Sequence, residues 1–302
     1  MNPRILHIIN PVKVSEQSDL FFAQPITFES LINAKNYSRF SESIILSTTQ
    51  FEEDKSIIPK EFLQLSNLKT SILDLKPKLK GKKLPFIRDI LDKTKEIEAC
   101  DYIVYTNMDI GVLPHFYDVL FAYISKGHDA VVINRRRISS EFKKIEDLPL
   151  IYSQLGESHP GFDCFFFKKE LLEKFIFDEI CIGIPFLEVS FIHNLFSFAE
   201  NPIFVPDIHL TFHLGMDVMP KINKDFYWHN RAVFFKKINP KLKSNYNLKK
   251  FPYGQLSLPK RALKWMLNPG LFTRTYLELE GKKNWYRVKF ILNEFRWRLL
   301  QK

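Results

Sequence analysis

Cysteine and glycine are scarce in this 302-residue sequence, and each scarcity excludes a class of protein. The three cysteines, Cys100, Cys164 and Cys181, are widely spaced, which excludes a disulfide framework and a cysteine-based zinc site. Ten glycines are about 3% of the chain, against a usual ~7%, and exclude collagen-like and glycine-rich low-complexity proteins. We therefore expect a globular protein of a reducing compartment, the cytoplasm.

Long hydrophobic runs are also missing. No stretch reaches the roughly 18 consecutive apolar residues that a membrane-spanning helix needs. The apolar run at residues 5–9 is ended by Asn10 and Pro11, too early for a secretory signal. An apolar fraction of 45% and a charged fraction of 26% are typical of a folded domain and argue against disorder.

The positive charge of the chain is concentrated near its carboxyl end. Of a net charge of +10, residues 258–302 contribute +8, from 11 Lys and Arg against three Glu. The first 257 residues carry the remaining 33 basic and 31 acidic side chains, a net of +2. Trp265, Trp285 and Trp297, three of the four tryptophans, also lie in the basic segment. We predict a main domain at 1–257 and a basic helical tail at 258–302.

The tail shows helical spacing in two places. Ser257 is a helix cap with Pro259 in the first turn, and a second helix is predicted from Asn284 to about Gln301. The second helix has one apolar stripe, formed by Trp285, Val288, Leu292, Phe295 and Leu299. Basic residues with tryptophan are typical of a helix on an anionic membrane surface, and equally of a helix that packs on the domain with solvated charges. Both readings stay open, including peripheral attachment to the inner face of the membrane, whereas no motif supports nucleic-acid binding.

The first half of the chain alternates apolar strands with amphipathic helices. Strands are predicted at Ile5 to Ile9, Ser43 to Ser47, Tyr102 to Thr106 and Ala130 to Asn134. Helices are predicted at Ser15 to Lys35 with a break at Pro25, at Ile87 to Ala99, and from Pro114 onward. Apolar strands separated by helices predict βαβ units and an α/β fold with a mostly parallel sheet flanked by helices.

The segment directly after Thr106 carries the polar residues with the clearest chemistry. Parallel sheets bind ligands beyond the carboxyl ends of their strands, and Asn107 and Asp109 lie there. If the segment is extended, the two side chains point the same way. An amide there suits a ribose hydroxyl, and a carboxylate suits a divalent cation that neutralises two phosphates. The alternative is a loop whose Asn and Asp only cap the helix that begins at Pro114.

Four segments, taken in chain order, resemble GT-A-fold glycosyltransferases that use nucleotide sugars. Residues 102–109 resemble the strand and Asp-x-Asp turn of that family, with Asn107 in place of the first Asp. Residues 159–167 resemble the acceptor-side Gly-x-Asp segment and its strand. Residues 183–188 match the place of a catalytic carboxylate at the head of a helix, and residues 210–215 the late strand with a histidine that returns to the metal. The resemblance covers residues 1 to about 230 and implies a GT-A-like (Rossmann-like) fold.

The resemblance also implies roles for individual residues. Asp109 and His213 would hold Mn²⁺ or Mg²⁺, which stabilises the departing diphosphate. In an inverting enzyme Glu188 would deprotonate the acceptor hydroxyl and Asp163 would orient the acceptor, with the two roles exchangeable. The spacing of the two carboxylates leaves both inversion and retention open. The residues expected to contact the nucleotide sugar are Asn10, Pro11, Arg88, Asn107, Asp109 and Arg135. The implied partners are a nucleotide-sugar donor and a glycan or lipid-linked acceptor, as in bacterial surface polysaccharide synthesis.

Each of these residues also has a structural interpretation. Glu188 suits the first turn of any helix, because its charge is favoured by the helix dipole. His213 is equally typical of a hydrogen-bonded histidine, Asp163 of a turn cap, and Arg135 and its two neighbours of a solvated loop.

Two other functions compete with sugar transfer. A nucleotidyltransferase normally has a glycine-rich loop after its first strand, and residues 10–14 contain no glycine. A non-catalytic glycan-binding or scaffold protein on a GT-A-like fold is kept open by Asn107. Nucleotide affinity that needs a divalent cation would support an enzyme, and glycan binding without nucleotide would support the scaffold.

Overall fold

A computed structural model describes residues 2–217, 223–268 and 270–280. Within these ranges the chain forms eleven β-strands and ten α-helices. The strands are β1 (Ile5–Ile9), β2 (Ile44–Thr48), β3 (Leu63–Gln64), β4 (Tyr102–Thr106), β5 (Ile110–Val112), β6 (Ala130–Ile133), β7 (Arg136–Ile138), β8 (Glu157–Ser158), β9 (Cys164–Lys168), β10 (Pro202–Val205) and β11 (Thr211–Leu214). The helices are α1 (Leu20–Tyr37), α2 (Ile72–Leu75), α3 (Ile87–Lys93), α4 (Phe116–Ser125), α5 (Leu148–Ser153), α6 (Leu187–Phe198), α7 (Lys224–Val233), α8 (Asn239–Leu242), α9 (Leu258–Leu267) and α10 (Thr273–Leu279).

The main sheet of the described chain has seven strands in the order β10-β6-β9-β4-β1-β2-β3. All of them run parallel except β9, which is antiparallel to both of its neighbours, β4 and β6. Cys164, the first residue of β9, pairs with Thr106 at the end of β4 and with Ile133 at the end of β6. Segments after β4 and β6 and the segment before β9 therefore meet at one edge of the sheet, which we call the carboxyl edge.

Helices cover both faces of this sheet, because alternate residues of each buried strand point to opposite sides. Ile5 and Ile9 of β1 pack in one apolar cluster with α1 and α4, and Leu6 and Ile8 pack in another with α3 and α6. The expected α/β fold, with a mostly parallel sheet flanked by helices, is confirmed.

A second, four-stranded sheet in the described residues has the order β5-β11-β7-β8 and lies beyond the carboxyl edge. β5 and β11 are antiparallel, with Ile110 opposite His213 and Gly111 opposite Phe212. A Cβ on Gly111 would lie 2.2 Å from the Phe212 ring, so only glycine lets this ring cross the partner strand. His213 of the candidate site lies in this sheet, and Asp109, Arg135 and His159 lie directly beside its strands β5, β7 and β8.

Several predicted elements agree closely with the structure. The strands at Ile5–Ile9 and Tyr102–Thr106 are confirmed with the predicted bounds. The break predicted at Pro25 is wrong, because α1 continues through it to Tyr37. Pro25 lies on the exposed face of α1, so its ring displaces no packed side chain and the helix loses only one backbone hydrogen bond.

The described part of the tail packs on the main core. α9 follows Ser257 and has Pro259 in its first turn, as predicted. Trp265 is fully buried, and its indole Nε1 donates a hydrogen bond of 3.1 Å to the carbonyl of Pro252. Its ring also contacts Tyr276 of α10, so Trp265 belongs to the core and is not an interfacial aromatic. The helix predicted from Asn284 to Gln301, with Trp285 and Trp297, lies outside the described residues.

No helix in the described ranges is long and apolar enough to cross a membrane.

Candidate functional site at the carboxyl edge of the sheet

The segment after β4 is a turn. The amide of Ile110 donates to the carbonyl of Asn107 at 3.1 Å, so the extended backbone expected for residues 107–109 is wrong. The Tyr105 hydroxyl donates to Asn107 Oδ1 at 3.0 Å, and the Tyr105 ring is buried. Asn107 is therefore held at the edge of the sheet by the strand that precedes it. Met108 points into the core, which leaves Asp109 directed toward the second sheet.

Asp109 forms a pair with His213. Asp109 Oδ2 lies 3.2 Å from His213 Nε2, and both side chains are partly exposed. Burial by itself would raise the pKa of Asp109, but the hydrogen bond and charge of His213, with the more distant charge of Arg135, hold it below its ordinary value. The sequence placed these two residues in one metal site, and the structure brings them together through the pairing of β5 with β11.

The pair offers two ligands for a divalent cation. Adjacent ligands of an octahedral cation with bonds of about 2.1 Å lie roughly 3 Å apart, which is close to the Asp109–His213 separation. In the part of the chain that the structure describes, no group of three or more His, Cys, Asp or Glu side chains is arranged to hold a metal. The residues therefore fit a cation as two ligands, with its remaining positions left to oxygen ligands that this pair does not supply.

Arg135 and Asp163 form an ion pair that is almost fully buried. Arg135 follows β6 and Asp163 precedes β9, so the register of these two strands brings them together. The Arg135 guanidinium donates to Asp163 Oδ1, and its backbone amide lies 3.5 Å from Asp163 Oδ2. Both carboxylate oxygens of Asp163 thus face Arg135. Arg135 Nε is buried and has no hydrogen-bond partner among the described residues.

Glu188 lies in the first turn of α6, close to this ion pair. The pKa of Glu188 is raised to about 7, chiefly by burial; the charge of Asp163 adds to the rise, and its own backbone amide and the charge of Arg135 oppose it. Phe186, at the helix cap, has φ = 79°, which is strained for a bulky residue. Its ring is held against Phe234 and Phe272, so core packing maintains the turn that presents Glu188.

His159 is a member of the site that the sequence did not identify. It is buried, and its Nδ1 has no hydrogen-bond partner in the described ranges. Its Nε2 would be 2.6 Å from a Cβ on Gly161, so this glycine makes room for the imidazole. Burial lowers the pKa of His159 to about 4, with Arg135 adding to the effect and Asp163 opposing it. The only sequence signal was its place at the start of residues 159–167, the segment that resembles the acceptor-side Gly-x-Asp segment, where His159 was given no role of its own.

Asn10 and Pro11 end β1 at the same edge. Asn10 Nδ2 donates to the carbonyl of Thr49 at 2.6 Å, which ties the end of β1 to the end of β2. Thr48 Oγ1 and Gln50 Oε1 are buried beside them and lack hydrogen-bond partners in the described part of the chain. Unpartnered buried polar atoms are uncommon in folded proteins, so Asn10, Thr48 and Gln50 together suit a polar ligand.

Arg88 does not join the other predicted residues. Its Nε donates to Asp92 Oδ2 at 2.8 Å, and its guanidinium reaches the carbonyls of Leu172 and Phe175 at 3.4 and 3.3 Å. Leu172 follows the end of β9, which lies at the edge of the sheet opposite the site. The contacts of Arg88 thus tie α3 to the segment after β9.

The two arginines that follow Arg135 stabilise the small sheet through hydrogen bonds. Arg136 donates to the carbonyls of Leu155 and Gly156 at 2.9 and 2.7 Å. Arg137 donates to the carbonyl of Ser158 at 3.3 Å and pairs with a neighbouring carboxylate. Only the first of the three arginines therefore directs its guanidinium at the site carboxylates.

Comparison with known proteins gives likeness of fold only. No family model matches this sequence, and no curated protein matches it in sequence. The structure is similar to residues 1–349 of TarS from S. aureus in complex with UDP-GlcNAc (9% identity, 91% of this chain and 74% of that one, TM-score 0.46). It is similar to the mannosyltransferase PcManGT from Pyrobaculum calidifontis in complex with GDP-Man and Mn²⁺ (14% identity, 100% and 86%, TM-score 0.47). A third likeness is to the 4-diphosphocytidyl-2C-methyl-D-erythritol synthase of Anaerococcus prevotii (11% identity, 77% and 96%, TM-score 0.36).

Proposed function

We propose that this protein is a glycosyltransferase that moves a sugar from a nucleotide-sugar donor to a hydroxyl of a glycan or lipid-linked acceptor. The observation that carries the proposal is Glu188, a carboxylate with a pKa of about 7 beside the Arg135–Asp163 pair at the carboxyl edge. A general base works best when its pKa lies near the working pH, and burial sets such a value here.

The contacts favour Glu188 over Asp163 as the base. Both oxygens of Asp163 face Arg135, which leaves Glu188 as the carboxylate open to an acceptor hydroxyl. Asp163 then acts as a positioning residue that fixes the guanidinium of Arg135. This guanidinium lies near enough to Asp109 and Glu188 to lower the pKa of both carboxyls. It supplies positive charge where a diphosphate would lie.

The donor is proposed to lie across the ends of β1, β2 and β4. Asn10 and the unpartnered Thr48 Oγ1 and Gln50 Oε1 suit the polar groups of a nucleoside, and Asn107 suits a ribose hydroxyl. Asp109 with His213 suits the diphosphate through a cation. When bound, Mn²⁺ or Mg²⁺ would neutralise the charge that develops on the leaving diphosphate.

The chemical step is a single displacement. The acceptor hydroxyl gives its proton to Glu188, and its oxygen forms a bond to the anomeric carbon of the donor sugar. The bond from that carbon to the diphosphate oxygen breaks, and its electron pair leaves with the nucleoside diphosphate. A displacement of this kind inverts the anomeric configuration.

The acceptor is proposed to be a surface polysaccharide precursor of a bacterium, with residues 1–257 as the catalytic domain and the segment 258–302 as a basic tail. The support is the charge of that segment, which favours an anionic or membrane-borne acceptor.

The test is a thermal-shift measurement of the full chain with UDP, GDP, CMP and dTDP, each with and without Mn²⁺. A ligand that binds the native state raises the melting temperature by mass action. We expect a shift with one nucleotide that Mn²⁺ strengthens, and release of that nucleotide from the matching nucleotide sugar. Glycan binding with no response to any nucleotide would support the non-catalytic alternative, and pyrophosphate release from a nucleoside triphosphate the nucleotidyltransferase; either would contradict sugar transfer.

A further inference from the structure

Helix α9 is fixed to the domain by its inner face. Trp265 on this face lies in the core and donates to the carbonyl of Pro252. Arg261 pairs with Glu280 and also donates to the carbonyl of Leu256 at 2.7 Å. The helix is therefore held in one orientation by both apolar packing and a charged pair.

The outer face of α9 combines exposed leucines with lysines. Leu263 is 52% exposed and Leu267 is 55% exposed, one helical turn apart. Lys260 and Lys264 lie on the same face, each three residues before one of these leucines. Leu263 and Leu267 are two of the twelve exposed large hydrophobic side chains in the described part of the chain. Single exposed leucines are ordinary, but two leucines beside two lysines on one helix face form an amphipathic surface.

The charges on this face indicate its partner. α9 contains no acidic residue, and among the described residues Lys260 forms no ion pair. The ammonium group of Lys264 lies 5.4 Å from the Tyr253 ring and likewise faces no carboxylate in the described residues. Exposed leucines that alternate with lysines match the boundary between the headgroups and acyl chains of an anionic bilayer. A protein partner would instead have to supply acidic and apolar groups in the same register.

We propose that the outer face of α9 docks on the anionic surface of a lipid bilayer. Leu263 and Leu267 enter the headgroup boundary, and Lys260 and Lys264 contact lipid phosphates. The contact needs neither donor nor metal, so it is independent of the proposed transferase activity. Because Trp265 fixes the helix to the core, docking also sets the orientation of the whole domain on the membrane.

The test is co-sedimentation of the full chain with vesicles, without nucleotide. Vesicles of phosphatidylglycerol with phosphatidylcholine are compared with phosphatidylcholine alone, and we expect binding to the anionic vesicles. The variant Lys260→Gln/Lys264→Gln should weaken the partition about thirtyfold, since each lysine contributes about fivefold near an anionic surface. Leu263→Ser/Leu267→Ser should weaken it about tenfold or more.

The matched control is Leu150→Ser/Leu155→Ser, which removes two leucines of similar exposure, 57% and 65%, from another surface. This variant should bind vesicles as the unmodified chain does. If both α9 variants bind the anionic vesicles as well as the unmodified chain does, the proposal is overturned. A lower melting temperature of the Leu263→Ser/Leu267→Ser variant with unchanged vesicle binding would also overturn it, because the face would then be covered by protein.

Discussion

Asp109 and His213 lie 3.2 Å apart because β5 and β11 pair antiparallel with Ile110 opposite His213. The register places the residue before Ile110 beside the imidazole. One residue along, Gly111 lets the Phe212 ring cross β5. The pairing of two short strands thus determines whether the two candidate metal ligands meet.

Replacing Gly111 tests this relationship. In Gly111→Ala the added Cβ would meet the Phe212 ring at 2.2 Å, in a buried place where neither strand can yield easily. We expect a loss of about 1–3 kcal/mol in the free energy of unfolding and a weaker effect of Mn²⁺ on nucleotide binding. The double variant Gly111→Ala/Phe212→Leu should recover part of both. Unchanged stability of the single variant would show that the ring moves aside at no cost.

The two-ligand cation site is tested by Asp109→Asn and His213→Gln. Each removes one of two protein ligands, and we expect nucleotide affinity in Mn²⁺ to fall at least about tenfold. Nucleotide affinity measured in EDTA should change little, because Asn10, Thr48 and Gln50 at the ends of β1 and β2 are unchanged. Calorimetric titration with and without Mn²⁺ measures both quantities. Equal losses of nucleotide affinity in Mn²⁺ and in EDTA would show that Asp109 and His213 contact the nucleotide directly and not through a cation.

Glu188→Gln should separate binding from chemistry. The amide cannot take a proton, so release of nucleoside diphosphate from the donor sugar in the presence of acceptor should fall by about 10²–10⁴, while nucleotide binding is kept. In the unmodified protein the rate should rise as the pH increases through about 7, the pKa of Glu188. Asp89→Asn is a matched control, since Asp89 is a first-turn carboxylate of α3 whose pKa burial also raises. Its rate and pH profile should be those of the unmodified chain.

The same carboxyl should make stability depend on pH. Glu188 has a pKa of about 7 in the folded protein against an ordinary 4.5, so between these values the folded state holds more protons than the unfolded one. The free energy of unfolding therefore falls as the pH rises through this window, and the loss is complete above pH 7. Glu188→Gln removes the effect. The difference in melting temperature, variant minus unmodified protein, should therefore be more positive at pH 8 than at pH 4.5. An equal difference at both pH values would show an ordinary pKa for Glu188.

Arg135→Gln should lower the stability of the fold and raise the pKa of Glu188, the proposed base. It leaves Asp163 buried without its cation, which typically costs about 3–5 kcal/mol. It also removes a positive charge that lowers the pKa of Glu188, so the midpoint of the pH–rate profile should move above 7. Arg136→Gln is the control, since Arg136 donates to carbonyls of the small sheet. Its melting temperature should fall while its pH midpoint stays in place.

Local pattern was enough to predict the elements that surround the site. The buried strands at 5–9 and 102–106 follow from β-branched and apolar runs, and the helix that carries Glu188 begins where the sequence suggested. The contact of Asp109 with His213 was expected only from the family resemblance, because local pattern cannot give the register of two strands from distant parts of the chain. His159 was missed for a similar reason, since it is buried where Asn134, from a distant part of the chain, donates to its carbonyl across the edge of the sheet.

The tail shows where a sequence pattern has two physical meanings. An apolar stripe beside basic residues suits a bilayer and a protein core equally well. Trp265, which favoured the membrane in the sequence, is in the core, whereas Leu263 and Leu267 of the same helix face outward. These side chains differ because one face of α9 packs on the core and the other faces outward, and the sequence pattern does not show which face is which.

The reversed direction of β9 has a consequence for biosynthesis. Its first residue pairs with the last residues of β4 and β6, so Asp163 meets Arg135 only after the chain has doubled back between them. His213 reaches the same edge later still, from β11. A nascent chain that ends before residue 213 therefore lacks one of the two candidate metal ligands, and we expect Mn²⁺ to have no effect on its nucleotide binding until the late strand has left the ribosome.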